Sequence, residues 1–412
     1  MRSILAANRR HRQFNMQVSG FDAAISKSGI GERGFEVRYE SAPWQRSCRY
    51  ATRPLMPRVA EDGRRGAVVK APDGKSTHNT ALEGSLQGSN QRGTKQGERM
   101  IAGIDVGGTK IAVGLIDETG KVRVRTDTPI HVERGPQVAL RGIMEILRAQ
   151  EQQTGLVIEG IGIGCTGPVD PLTGELGDVN TLPGWQAWNP VSELSAELKV
   201  TVAMENDADA AALGEARWGS GKGKRSLVCI TVGTGIGAGV ILNGELYRGV
   251  QGSHPEIGHH IVDPAGPYCT CGAYGCWESL ACGPAMEQWY AEQDGVSVGQ
   301  TAKEICALAR AGDRTALLAV RRGSKYLGMG IANVVTMFMP EAIVLGGSMM
   351  QSADLLLDDL QAIVTANCRI VPYQLCKIAV ASLGPDVGLI GAAQVWHHRF
   401  SKSKGQYESR CV

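Results

Sequence analysis

The chain has 412 residues, with 43 Lys and Arg against 41 Asp and Glu and 43% hydrophobic residues, enough to bury the cores of two or three domains. Residues 1–99 carry a net +9 (18 basic against 9 acidic) and the remainder a net −7 (25 against 32), so the globular part does not read as a nucleic-acid-binding body. No window approaches the roughly 18–20 apolar residues of a membrane span, no cationic-then-apolar leader opens the chain, and 11 mostly scattered cysteines suit a reducing cytoplasm better than a disulfide framework.

Only 18 of the first 99 residues are Leu, Ile, Val, Met or Phe, and no helical or strand period persists there. Such a stretch cannot bury enough apolar surface to order itself, so it reads as a solvated extension. An upstream start in the reading frame is the simplest account; a basic arm or a regulatory segment is the other. From Met100 the pattern becomes regular. "MIAGIDVGGTKIAVGLID" is two apolar runs about a glycine turn, a strand hairpin. "VALRGIMEILRAQEQQ" has helical spacing, "EGIGIGCTGPVD" is a strand ending in a turn, and Pro190 suits the first position of a helix through "NPVSELSAELKV". "SLVCITVGTGIGAGVILNGEL" repeats the strand–glycine turn–strand, with Asn243-Gly244 as a tight hairpin turn. Helical patterns then run through 284–338, followed by the strand "EAIVLGGS" and a closing helix from about 387. This is an α/β chain of two units, each opened by a glycine-broken hairpin.

The first glycine turn, Asp105 to Lys110, brings Gly107 and Gly108 where backbone N–H groups can approach a phosphate. Thr109 adds a hydroxyl, and Asp105 can hold Mg²⁺ through water. An ordinary hairpin turn would look the same, and the spacing of a Walker loop is absent. The second turn offers Gly233, Thr234, Gly235 and Gly237; no helix follows it, which argues against a dinucleotide fold. A third strand ends in Gly346-Gly347. Three such turns are what two lobes gripping one polyphosphate would need. In "AMENDADAAALGEARWG", Asp207 stands where a strand gives way to a helix. There it can accept the proton of a substrate hydroxyl, as an aspartate does in kinases; Asn206 or Asp207 as a plain N-cap is the alternative.

His259, Cys269, Cys271 and Cys276 give H-x9-C-x-C-x4-C, one imidazole and three thiolates that complete a closed, structural tetrahedral zinc site. His260, and less so His254, is the substitute if the register differs.

In order, "IDVGGTK", "LPGW", "ENDADAAALGE", "TVGTGIGAG", "HPEIGHH", "CTCGAYGCWE" and "IVLGG" resemble the ROK family of sugar kinases and repressors over roughly residues 100–400. The resemblance implies an actin-like, ribonuclease-H-like ATPase fold of two α/β domains with the active site in the cleft between them. Residues 100–212 would form the smaller domain, completed by the C-terminal helix (about 386–402), and 213–385 the larger one with the zinc loop. It further implies that Asp207 is the general base; that Asn206, Glu256, His259 and Glu278 bind sugar hydroxyls; that the Leu182–Trp185 stretch, with Gly184, closes over the sugar; and that the glycine turns hold ATP with Mg²⁺. His259 would both bind zinc and face the sugar. The expected reaction is ATP-dependent phosphorylation of a hexose, glucose at its 6-hydroxyl first, by a dimer or tetramer.

Two departures bear on the substrate. Pro255 stands where glucose-type members have glycine, and "HPE" resembles the fructokinase branch, whose later zinc ligands tend to include a histidine absent here. "ENDADAAALGEARWGSGKG" and "CWESLACGPAM" resemble the glucokinase branch. N-acetylmannosamine and N-acetylglucosamine kinases share the motifs. Family repressors add a winged helix-turn-helix before the same body, but residues 1–99 show no set of three amphipathic helices.

Overall fold

Two five-stranded sheets with one and the same topology frame the molecule. The structure, a computed structural model, describes residues 98–401 apart from Asp294 and Ser297; the reading of the first 97 residues lies outside them. In chain order the elements are β1 (Arg99–Val106), β2 (Lys110–Ile116), β3 (Val122–Pro129), α1 (Pro136–Thr154), β4 (Val157–Cys165), β5 (Val169–Asp170), β6 (Glu175–Leu176), α2 (Pro190–Leu198), β7 (Thr201–Asn206) and α3 (Asp207–Arg217). There follow β8 (Leu227–Val232), β9 (Ile236–Leu242), β10 (Glu245–Leu246), α4 (Trp277–Ala281), α5 (Gly283–Ala291), α6 (Ala302–Arg310), α7 (Arg314–Phe338), β11 (Ala342–Gly346), α8 (Ala353–Asn367), β12 (Lys377–Val380) and α9 (Val387–Phe400).

The first sheet runs β3-β2-β1-β4-β7 and the second β10-β9-β8-β11-β12. In each, an antiparallel meander on one side joins three parallel strands on the other. The expected hairpins are β1–β2 and β8–β9. Asn243 and Gly244, at φ 56° and 87°, make the tight turn before β10, the left-handed pair such a turn demands. Pro190 opens α2 as expected, under an Asn189 cap that accepts from Ser192 N–H. The 284–338 pattern resolves into α5, α6 and α7. The first break lies between Ala291 and Ala302. The second lies at Gly312 (φ 91°), after which Asp313 caps α7 by accepting from Ala316 N–H at 2.7 Å. The structure adds β3, β6, α4, α8 and β12, elements absent from the sequence reading.

Strand ends place the site. Val106, Cys165 and Asn206 are register partners at the C-terminal ends of β1, β4 and β7, and Thr231 and Gly346 are partners near those of β8 and β11. Parallel strands leave their ligand crevice at this edge. Helix α9 lies on the first sheet at backbone distance: a Cβ on Gly103, Gly160 or Gly162 would run into the Leu389 carbonyl, the Trp396 indole or the Ala392 carbonyl. Helix α3 packs against β8 and β9 as well as α9 and β4, and every residue from Ala208 to Glu215 is buried. Its alanines and glycine allow this close fit. Glu215, fully buried, accepts hydrogen bonds from the N–H groups of Ser220 (2.7 Å), Ser382 (3.0 Å) and Leu383 (2.9 Å), and so ties α3 to the approach to α9. No described helix is long and apolar enough to cross a membrane.

Candidate active site

A cavity of about 380 Å³ opens at these strand ends. Its lining includes Asn206 and Asp207 from the first sheet's edge, Gly233 to Gly237 from the β8–β9 turn, and His254, Glu256, Glu278 and Gly347. A second cavity of about 410 Å³ shares Gly233 and Thr234 and runs on between Gly283, Lys303 and Ser348. The two therefore meet at the second glycine turn.

Asn206 is the N-cap of α3: its Oδ1 accepts from Ala208 N–H at 2.9 Å, and its Nδ2 donates to the Gly167 carbonyl at 3.3 Å. The plain capping role thus falls to Asn206 and leaves Asp207 as the first helical residue. Its Oδ1 accepts from Ala208 N–H at 2.8 Å, and the helix dipole favours its anion. The carboxylate is accessible from the cavity, yet it stands at the bottom of a recess walled by protein. Desolvation there, then the nearby Asp105 carboxylate, push its pKa up to about 6. Asp105 is raised as well, by burial first, with Lys110 and Arg125 pulling the other way. The Asp105 carboxylate thus disfavours the Asp207 anion, and a cation beside them would supply the compensating charge that the anionic state of both requires.

Glu278, in the first turn of α4, points back at the glycine turn, where its Oε2 accepts from Ile236 N–H at 2.8 Å. That approach requires Gly235, whose Cβ would meet Glu278 Oε2. Glu256 precedes a one-turn 3₁₀ helix, Ile257–His259, which sits so close to β9 that a Cβ on Gly258 would strike the Ile236 carbonyl.

His259, Cys269, Cys271 and Cys276 converge, with their ligand atoms all within 4.8 Å of one another. Cys269 Sγ lies 3.5 Å from His259 Nδ1, and Cys271 Sγ 3.5 Å from Cys276 Sγ. Four donors about 2.3 Å from one tetrahedral centre stand about 3.8 Å apart, so the set fits a zinc-sized ion. His260 stays out of the cluster: its Nδ1 pairs with the Ile257 carbonyl at 2.5 Å and its ring lies tilted against Trp277. His254 is also elsewhere, on the cavity wall.

Other expected residues stand apart from the cavity lining. Asp105, Gly107, Gly108, Thr109 and Lys110 form the β1–β2 turn, closed by Gly107 N–H on the Lys110 carbonyl at 3.0 Å. Lys110 Nζ pairs with Asp127 at 3.6 Å. Gly184 (φ 83°) is held between buried Leu182 and Trp185, and Trp185 packs edge-on against Trp188 at 5.1 Å. Each indole buries on the order of 150–250 Å², about 4–6 kcal/mol before ordering costs. The loop's backbone is thereby anchored while Pro183 and Gly184 stay exposed. His259 sits with the thiols, and Gly346 at the end of β11 against Ala381. Two charged pairs went unread in the sequence. Arg248 grips buried Glu205, and His254 Nδ1 lies 2.9 Å from Asp209 Oδ2. Their members are 43 and 45 residues apart, with no spacing rule to join them.

The ROK family model matches residues 101–399. A glucokinase of Streptomyces coelicolor is 33% identical over 317 residues, which cover 72% of this chain and 97% of that one. A xylose repressor of Bacillus spizizenii is 31% identical over 299 residues, 70% of this chain and 75% of the repressor. Among solved structures, a ROK family glucokinase from Streptomyces griseus in complex with glucose and AMPPNP superposes with a TM-score of 0.61 at 31% identity, covering 72% of this chain and 98% of that one. A family match that spans both sheets, both glycine turns and the cysteine loop leads to one conclusion: the chain belongs to the ROK family.

Proposed function

We propose that the protein is an ATP-dependent hexose kinase, a glucokinase that phosphorylates the 6-hydroxyl of glucose. The observation that carries this reading is the convergence of Asp207, Glu256 and Glu278 with the Gly233–Gly237 turn on one cavity. The fold is the actin-like, ribonuclease-H-like ATPase fold of two α/β lobes, which we divide near 212/213, with α9 completing the first.

Asp207 is the general base. At neutral pH it is ionised, and it takes the proton of the sugar hydroxyl as that oxygen attacks the γ-phosphorus in line. Asn206, Glu256, His259 and Glu278 hold the other sugar hydroxyls, and the anchored Leu182–Trp185 loop covers them. Gly107 to Lys110 and the Gly233–Gly237 turn, with Gly346 and Gly347, reach the ATP phosphates from the two sheets; the second cavity, past Gly233, is where the remaining nucleoside would lie. Asp105 is the residue that would hold Mg²⁺, which supplies charge neutralisation on the transferring phosphoryl group. His259, Cys269, Cys271 and Cys276 would hold structural zinc, which fixes the loop that carries Glu256 and Glu278 to its two flanks. We place the enzyme in the cytoplasm as a dimer or tetramer.

The test is a coupled ADP-release assay on the full chain with glucose, mannose, fructose, N-acetylmannosamine and N-acetylglucosamine, with Asp207→Asn as control. Fastest turnover on glucose supports the reading. Preference for another sugar keeps the mechanism and moves the substrate to a hexosamine or to fructose. A second reading, a sugar-responsive repressor, draws on the xylose repressor likeness; no turnover on any sugar, with retention on DNA, would favour it.

A further inference from the structure

Beside the base lies a charged pair that the mechanism above does not use. Asp209 follows Asp207 by two residues on α3, with its side chain 3% exposed, and His254 is 8% exposed. His254 Nδ1 and Asp209 Oδ2 are 2.9 Å apart, while Asp209 Oδ1 is buried without a hydrogen-bond partner. A carboxylate so placed, one oxygen bare, costs stability, and its retention calls for a reason beyond packing. His254 also lines the cavity together with Asp207, Glu256 and Glu278. With Nδ1 committed to Asp209, Nε2 is the ring nitrogen left for the cavity.

The chemistry of the wall gives that nitrogen its task. The carboxylate oxygens of Asp207, Glu256 and Glu278 only accept hydrogen bonds. A sugar hydroxyl that donates to one of them still has an oxygen to be satisfied, and Asn206, with one Nδ2 hydrogen already on the Gly167 carbonyl, has only one left to give. We propose that His254 is a sugar-contacting, specificity-determining residue, its imidazole fixed by Asp209 so that Nε2–H donates to one hydroxyl oxygen of the hexose bound beside Asp207 and Glu256. The proposal rests on the sugar-kinase reading. Burial opposes a charge on the ring, but the Asp209 hydrogen bond and charge outweigh it, with Glu256 and Asp207 adding to the effect, and the pKa of His254 is raised. When the ring carries its proton both nitrogens are donors, and the carboxylate 2.9 Å from Nδ1 orients them as one does for other functional imidazoles.

The experiment is a substrate-by-mutant cycle on the full chain, with glucose and its 1-, 2-, 3- and 4-deoxy analogues, all of which keep the 6-hydroxyl. His254→Ala should lower kcat/KM on glucose about 10–100-fold, mostly through KM, the loss expected for a charge-assisted hydrogen bond. One deoxy sugar should lose a similar factor with the native enzyme and nothing further with the variant. His254→Gln, whose amide N–H can stand in for Nε2–H, should recover part of the loss and keeps the cycle interpretable if the alanine variant folds poorly. If every deoxy sugar shows its native penalty in both variants, the pair only supports the fold and the proposal is wrong. If the native enzyme phosphorylates no sugar at all, the kinase reading fails and takes this proposal with it; turnover with additive penalties sinks the proposal alone.

Discussion

The raised pKa of Asp207 makes the acid side of the pH profile a direct measurement of its surroundings. A general base works as its anion, so kcat/KM should fall as pH drops through the free-enzyme pKa of about 6. At pH 5 about one carboxylate in eleven is ionised, and activity should be roughly tenfold below its plateau, falling tenfold for each further unit. An aspartate at the ordinary value of 3.8 would keep about 94% of its activity at pH 5. The two cases differ by about an order of magnitude in a coupled assay run from pH 4.5 to 8. The second cause of the shift is Asp105, after desolvation, so Asp105→Asn should move the acid limb downward even as it weakens Mg²⁺ binding. Stability runs the other way. A carboxyl whose folded pKa is raised contributes stability that is full below its unfolded value and is lost as pH climbs through about 6, which thermal melts without Mg²⁺ should register as a decline attributable to Asp207 and absent from Asp207→Asn. A plateau unchanged down to pH 5, or an acid limb that survives intact in Asp207→Asn at the same pH, would refute the assignment of the base.

Asp207→Asn should leave glucose binding nearly unchanged, by calorimetry, while cutting kcat on the order of 10²–10⁴-fold. Elemental analysis should find about one zinc per chain, and Cys271→Ser should lose it, raise the KM for sugar and lower the melting temperature; unchanged metal content and KM would argue that the four residues hold nothing. Glu215→Ala would leave three backbone N–H groups without their buried acceptor, a loss on the order of 3–5 kcal/mol in denaturant unfolding. Gly162→Ala should destabilise by about 1–3 kcal/mol, because its methyl meets the Ala392 carbonyl of α9, a backbone atom that cannot swing aside.

Much of this was legible because it rests on local chemistry. A glycine turn between apolar runs reads as a hairpin wherever it stands, and H-x9-C-x-C-x4-C reads as a metal loop because the thiolates need one another and the fold only has to bring His259 to them. The β3 strand escaped because "VRVRTDTP" is a charged edge strand with no buried residue, and β12 because four residues with none fully buried carry little signal. Helix α3 is the instructive case. Asp209 in "DADAAALGEAR" reads as part of a polar helix face, and on an ordinary surface helix it would be one. Here α3 is enclosed along eight consecutive residues, a fact set by two sheets closing on a helix of alanine and glycine and therefore invisible to any window of sequence.

The same enclosure explains why the residues proposed to bear on substrate choice went unread. In the proposed mechanism Asp207 and the glycine turns serve phosphoryl transfer, whose demands are common to every hexose and fix residue type at fixed spacing. Discrimination between hexoses asks only that some donor or acceptor stand at one height on the cavity wall, and chain segments far apart in sequence can supply it. His254 arrives there from beyond β10, held by an aspartate 45 residues earlier, directly before the Pro255 that departs from the glucose-type pattern. Asp207 and Asp209 share α3, so on the proposed roles a change at Asp209 should reach both the imidazole that reads the sugar and the helix that carries the base, and substrate preference and turnover should shift together.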